Sequence, residues 1–417
     1  MPTAIRLVIS RKSLFLLLAI AALLGLGQWL SRSPAATPIR IGVLHSLTGT
    51  MSVSEAPLVD AVRLAVEEIN ASGGLLGRQV ELVLADSRSD STVAAAEAER
   101  LIVEEKVSAL FACWTSACRK AVKPIVEKHR HLMFYPLQYE GMEASPNIIY
   151  TGSAPSQQII PGTRWALDHF GKHVYLIGSD YIFPRTANRI IRDLVGVVGG
   201  KVLQERYVPL GADPSALITK DLRQQQPSVI LNTLNGDSNK HFFRALHEAG
   251  LDRIPVMSFS VAEVELGAFI SDAHPAHYAT WSYFQSLPDD DNQRFVKAFQ
   301  ARFGKNRVTS DPIEAAYSGI RLWANAVREA ASAAPEQVNP VIGRQTLPGP
   351  SGVVAVDAST RHLWKMVRIG KARADGQFDQ IEASATTVRP APFPAYRSIE
   401  AWRRLIAEFE AAAEPKP

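Results

Sequence analysis

The stretch HLMFYPLQYEG, His131 to Gly141, places Tyr135, Gln138, Tyr139 and Glu140 within six residues. Comparable groups recur along the chain: Trp114 and Ser116 in CWTSACRK (113–120), Tyr181 and Phe183 in GSDYIFPR (178–185), Asn235 and Asp237 in NTLNGDSN (232–239), Glu263 in SFSVAEVE (258–265), and the hydroxyl-rich HSLTGTMS (45–52). Hydroxyls, amides and carboxylates beside aromatic faces can hold a small polar molecule by hydrogen bonds and shed its water. They do not form a catalytic motif. The chain contains no G-x-G-x-x-G, Walker A, H-E-x-x-H, G-x-S-x-G or C-x-x-C. Its ten histidines are scattered. Cys113 and Cys118 alone make no zinc site. We read them as two free buried thiols, with a disulfide as the alternative open to an exported protein. Ordinary structural roles compete at each position: inter-lobe packing for Trp114 and Phe183, helix N-caps for Ser116 and Asp237.

These groups must be positioned by the surrounding elements. After residue 37 the chain alternates strand and helix. IRIGVLHS (39–46), QVELVLADS (79–87), VSALFA (107–112), HLMFYP (131–136), HVYLIGSD (173–180), KVLQERYVPL (201–210), SVILNTL (228–234) and IPVMSFS (254–260) read as strands, with amphipathic segments between them. Such alternation predicts parallel sheets covered on both faces by helices. The expected fold class is α/β, with two Rossmann-like lobes joined by a hinge. One lobe takes residues 37–154 plus 283–345, including the returning helix 311–331. The other takes 155–282 plus 346–395, with antiparallel strands and a turn at Asp375-Gly376. Residues 396–417 form a C-terminal helix and tail. The polar groups fall just past the carboxyl ends of strands, where ligands sit in open α/β sheets.

The chain has 45 Lys+Arg and 41 Asp+Glu over 417 residues. Arg6, Arg11, Lys12 and Arg32 lie in residues 1–36, which hold no acid, so the remainder is formally neutral. A neutral body gives no footprint for nucleic acid. Arg11-Lys12 precede the apolar run SLFLLLAIAALLGLGQWL (13–30) and the small residues of SRSPAATP. This pattern predicts an export signal over residues 1–36 cut near Ala35 or Ala36, the alternative being an uncleaved N-terminal membrane anchor. Either places the body outside the cytoplasm, in the periplasm or its equivalent.

At GVLHSLTGTMS, CWTSACRKAV, FYPLQYEG, SPNIIYTG, GSDYIFPRTAN, LNTLNGDSN, WSYFQS, VTSDPIEAAY and VRIGKARADGQF, the sequence resembles the urea and short-chain amide branch of ABC-transporter substrate-binding proteins. That branch belongs to the leucine/isoleucine/valine-type (type I) periplasmic binding proteins. The resemblance covers about residues 39–390. It implies a clamshell hinged at three chain crossings, a small ligand in the cleft, a permease partner and no cofactor. It carries ligand contacts onto Ser116, Tyr135 and Tyr181, aromatic walls onto Trp114 and Phe183, and further contacts onto Gln138, Asn235, Asp237 and Glu263. Amino-acid-binding relatives use a hydroxyl near the position of Leu137, which leucine cannot supply. Cys118 stands where the urea type usually shows a small hydroxyl residue. The expected function is a receptor that captures urea or a short-chain amide and delivers it to an ABC transporter permease. The alternatives are a membrane-tethered amide sensor or regulatory subunit, a branched-chain amino-acid binder and an amide hydrolase.

Overall fold

The computed structural model of the protein describes residues 37–269 and 276–413. The expected leader, residues 1–36, lies outside the described residues. Among the latter, no helix is long and apolar enough to cross a membrane.

The first sheet is built from β1 (Ile39–His45), β2 (Val80–Asp86), β3 (Leu110–Ala112), β4 (Met133–Tyr135) and β5 (Ile148–Tyr150), in the order β2-β1-β3-β4-β5. All its pairings are parallel. Helices α1 (Ser52–Ala71), α2 (Ser91–Val103) and α3 (Ser116–Lys128) connect the strands. Strands buried on both faces need continuous apolar runs, and Leu110–Ala112 and Met133–Tyr135 are buried throughout. Phe111 stacks on Phe134 at 4.9 Å between ring centroids and meets Trp323 edge-on at 6.1 Å. Trp323 belongs to a helix that returns from far along the chain to cover this sheet, α10 (Asp311–Ala330).

The second sheet has the order β15-β14-β10-β9-β8-β6-β7. Its parallel part comprises β6 (His173–Ser179), β7 (Lys201–Val208), β8 (Val229–Thr233), β9 (Val256–Ser258) and β10 (His277–Trp281). The connecting helices are α4 (Ile159–Phe170), α5 (Ile182–Val197), α6 (Ser215–Gln225), α7 (Ser238–Glu248) and α8 (Glu263–Phe269). Counted in chain order, the parallel strands of both sheets run 2-1-3-4-5, so each unit has its topological switch point between its first and third strands. The antiparallel hairpin β14 (Arg368–Ala372) and β15 (Phe378–Ala383) extends the second sheet beyond β10, turning at Asp375-Gly376.

One expectation is corrected. Residues 346–364 do not join the second sheet. They form a separate three-stranded antiparallel sheet of β11 (Thr346–Gly349), β12 (Gly352–Val356) and β13 (Leu363–Trp364), which meets the first unit through α10 and a Tyr150–His362 bridge. The reason is that β11 to β13 pair locally as a meander, an arrangement that sequence alternation does not distinguish from extension of a neighbouring sheet. Two helices flank α10, α9 (Asp290–Phe303) and α11 (Pro335–Ile342).

The chain passes between units after β5, after β10 and at residues 365–367, and these crossings are stitched together. Ser153 Oγ lies 2.8 Å from Ser282 Oγ, Ser282 N–H donates to Asp311 at 2.9 Å, and Lys365 donates to the Thr151 carbonyl at 3.1 Å. Beyond β15 the chain runs back past the crossings, where Val388 pairs with Lys365. The Met142 N–H donates to the Pro392 carbonyl at 2.8 Å, and a Cβ on Gly141 (φ 76°) would lie 2.1 Å from that same oxygen. The chain then enters α12 (Ile399–Ala413), anchored on α5 by buried Trp402 and the paired contacts of Arg397 with Asp193, at 2.6 and 2.8 Å.

Candidate functional site

The switch points direct the loops after β1 and β3, and after β6 and β8, into one crevice. On the first unit, the loop after β1 enters α1. There the Glu55 carboxylate accepts from the Ser46 N–H and hydroxyl, both at 2.8 Å, and lies 3.2 Å from His45 Nδ1. Ser46 Oγ also meets Ser87 Oγ at 2.8 Å. The loop after β3 enters α3, whose N-cap is Thr115 rather than Ser116: Thr115 Oγ1 accepts from the Cys118 N–H at 3.1 Å. Ser116 is thus the first helical residue, and Arg119, three residues on, shares its face.

Arg119 organises the base of the crevice. Its guanidinium is fully buried, donates to Glu140 at 3.0 Å, Glu143 at 3.1 Å and Ser116 Oγ at 2.9 Å, and lies over the rings of Tyr139 and Tyr135 at 4.4 and 4.9 Å. Burial alone would lower its pKa, but Glu143 and Glu140 more than offset this and hold it well above the ordinary value. Burial likewise acts to raise Glu143, yet the Arg119 charge leaves its carboxyl below the usual range. Ser116 donates to Glu140 at 2.5 Å, and Tyr150 donates to Glu143 at 2.6 Å. Tyr135 donates to the Trp114 carbonyl at 2.6 Å, and burial pushes its phenol upward. His362 donates from Nδ1 to the Thr360 carbonyl, leaving Nε2 to accept from Tyr139 at 2.5 Å, and burial depresses its pKa to about 4. Arg119 and Glu143 were not singled out in the sequence, and Glu140, noted there beside Tyr139, was given no ligand contact. The i,i+3 spacing of Ser116 and Arg119 was the available signal.

The second unit closes over this base. Tyr181, just before α5, faces a cavity of about 110 Å³ lined also by Ser46, Glu55, Ser87, Thr115 and Cys118. Its phenol is pushed up by burial and by the nearby Tyr135 and Glu140. Thr50 donates to Asp237 at 3.3 Å across the two units, and Gly236 sits close enough to Met51 and Thr50 that an added Cβ would lie 3.2 Å from both. The two lobes are therefore closed on each other in this structure.

Among the sequence-derived residues, Trp114, Ser116 and Tyr135 converge at the base, with Tyr181 facing them. Phe183 is buried in the core of the second unit, with its ring 6.3 Å from that of Tyr181. Asn235 bonds within the second unit, its backbone N–H donating to Ser179 Oγ at the end of β6 at 3.0 Å and its side-chain amide to the Thr233 carbonyl at 3.2 Å, and Asp237 lies at the inter-lobe contact. Gln138 reaches across to the second unit, donating to the Phe259 carbonyl at 3.0 Å and Ser260 Oγ at 3.2 Å in the loop after β9. Glu263 lies by a crossing, where it accepts from the Gln285 N–H at 2.8 Å. The expected free thiols are corrected: Cys113 and Cys118 form a disulfide, because the strand-to-helix turn brings their Cα atoms to 5.6 Å.

Two α/β lobes of like topology, three crossings and a polar crevice at facing switch points define a type I periplasmic binding protein fold. Solved structures share it. A solute-binding protein of an ABC transporter from R. palustris, in complex with 4-hydroxybenzoate, superposes with a TM-score of 0.76 at 22% identity, covering 84% of this chain and 98% of that one. The branched-chain amino acid transporter substrate-binding protein of Streptococcus pneumoniae, in complex with isoleucine, gives 0.75 at 19% identity over 85% and 100%. Among curated proteins, Leu/Ile/Val-binding protein homolog 6 of Brucella melitensis biotype 1 is 23% identical over 349 residues, 81% of this chain and 88% of that protein. A 116-residue stretch is 35% identical to limonene hydroxylase of Geobacillus stearothermophilus; it is 28% of this chain and spans only 21% of that protein's length. The family model described as periplasmic binding protein domain matches residues 39–399. The chain belongs to the periplasmic binding protein family.

Proposed function

We propose that the protein is the extracytoplasmic substrate-binding receptor of an ABC transporter, that it captures urea or a short-chain amide between its lobes, and that it delivers the ligand to the permease. The observation that carries this reading is the chemistry of the cavity. Its described lining offers hydroxyls and the carboxylates of Glu55 and Asp90, and includes no Lys, Arg or His. At about 110 Å³ it is well below the roughly 300–1,000 Å³ of drug-sized ligand sites. Urea is small, flat and neutral, with four N–H donors and one acceptor. Carboxylates and hydroxyl lone pairs suit its N–H groups, and the rotatable hydroxyls of Ser46, Ser87, Thr115 or Tyr181 can donate to its carbonyl. A benzoate or an α-amino acid would bring its carboxylate beside Glu55 with no side-chain cation lining the cavity. The disulfide supports an oxidising, extracytoplasmic location.

Calorimetric titration of the purified protein with urea, acetamide, leucine and benzoate tests the reading. Saturable one-site binding of urea, with leucine and benzoate inert, is expected. Binding of leucine or benzoate in place of urea and acetamide would retain the receptor and refute the ligand.

A further inference from the structure

We infer that the Cys113–Cys118 disulfide is a positioning clamp for the ligand site. It encloses Trp114, Thr115, Ser116 and Ala117 in a ring closed at both ends of the β3-to-α3 turn. Three of the four enclosed residues are bonded in the base of the crevice, and Ala117 lines the cavity. The Trp114 carbonyl receives the Tyr135 hydroxyl, the Thr115 hydroxyl caps α3 by accepting from Cys118 N–H, and Ser116 links Arg119 to Glu140. Cys113 has φ 69°, a left-handed conformation that a residue with a side chain seldom adopts. Its backbone is held at one end by the Cys113 N–H to Leu44 carbonyl bond at 3.0 Å and at the other by the bridge. Cys118 itself lines the cavity, so the bridge forms part of the wall it shapes. Pre-organising a loop in its bound conformation raises affinity by removing the cost of ordering it on binding. The clamp therefore acts on affinity through Thr115, Ala117 and Cys118, which line the cavity, and through Ser116 and the Trp114 carbonyl, which fix the base behind them.

The inference rests on the proposed function only for the choice of urea as probe. The experiment compares the oxidised protein, the protein reduced by a small dithiol and the Cys113→Ser/Cys118→Ser variant, all at a temperature where circular dichroism shows them folded. Reduction consumes two electrons and two protons and gives two thiols, while the dithiol closes to its own disulfide. Opening the clamp is expected to weaken urea binding by roughly tenfold or more, and reoxidation should restore it. Backbone hydrogen exchange over residues 113–119 should be accelerated by roughly tenfold or more, with remote strands such as Leu231 unchanged. Ser116→Ala should cost less affinity in the open form than in the oxidised form, a coupling that a bridge serving only global stability would not produce. Unchanged exchange and unchanged affinity would overturn the clamp. If the oxidised protein binds no urea, the ligand reading fails, while the exchange measurement still decides the clamp. Should the double variant not fold, Cys118→Ser alone, with the reduced protein, carries the same comparison.

Discussion

At the scale of single residues, the buried Arg119 holds the site base together. It neutralises Glu140 and Glu143 in a region without solvent, and removing one partner of such a group leaves uncompensated charge. Arg119→Met should therefore lower stability by about 3–5 kcal/mol, read from guanidinium chloride unfolding. Tyr135→Phe acts more narrowly. It strands the Trp114 carbonyl, an unpaired buried group costing about 1–3 kcal/mol, and should weaken ligand binding on the order of tenfold while the protein stays folded; unchanged affinity would remove Tyr135 from the site. Glu263 governs a pH effect. Burial, aided by Asp311 and Glu265, pushes its carboxyl up to about 8, whereas in the unfolded chain it titrates near about 4.3. Between these values the folded state keeps a proton that the unfolded chain has lost. This contribution to stability is thus complete at the acidic end and is lost as pH rises toward about 8. Glu263→Gln should flatten that decline, measured as melting temperature across the window.

At the scale of elements, the alternation of apolar runs with amphipathic segments made both parallel sheets legible, because strands buried on two faces carry their own signature. The loops past the strand ends were legible for the same reason: topology alone places them at the crevice. Other features depended on distances that sequence does not contain. Arg119 reads as one more basic residue on an amphipathic helix until Glu140 and Glu143 arrive from a loop more than twenty residues away. The cysteine pairing depended on the path of a turn, and the place of residues 346–364 on which strands pair. Gln138 and Glu263 were legible as polar residues on the right loops, but the side chain of Gln138 bonds the opposite lobe and that of Glu263 turns toward a crossing. The tail contact makes an element-scale prediction. Gly141→Ala should force the Pro392 carbonyl away and expose residues 389–398 to proteolysis sooner than in the parent, followed by timed digestion and mass spectrometry.

At the scale of the whole molecule, the lobes meet at the crevice mouth, where Thr50 donates to Asp237 and Met51 lies against Gly236. Ligand affinity in a clamshell is scaled by the population able to close. Asp237→Ala should lower affinity a few-fold by roughly the worth of one hydrogen bond, about 0.5–1.5 kcal/mol, and shift the unliganded protein toward a larger radius of gyration in small-angle scattering. An unchanged radius together with unchanged affinity would mean that this contact does not hold the lobes shut. The path of the C-terminal segment bears on the same motion. It leaves the second sheet, pairs Val388 with Lys365 at a crossing, passes Met142 and ends on α5 of the second unit. Mechanically it is a tie between the hinge and the second lobe: Ser156 and Gln157, at the first crossing, hold its backbone at residues 388–391. The far end of the chain is thereby built into the hinge, remote in sequence though it is from the first two crossings.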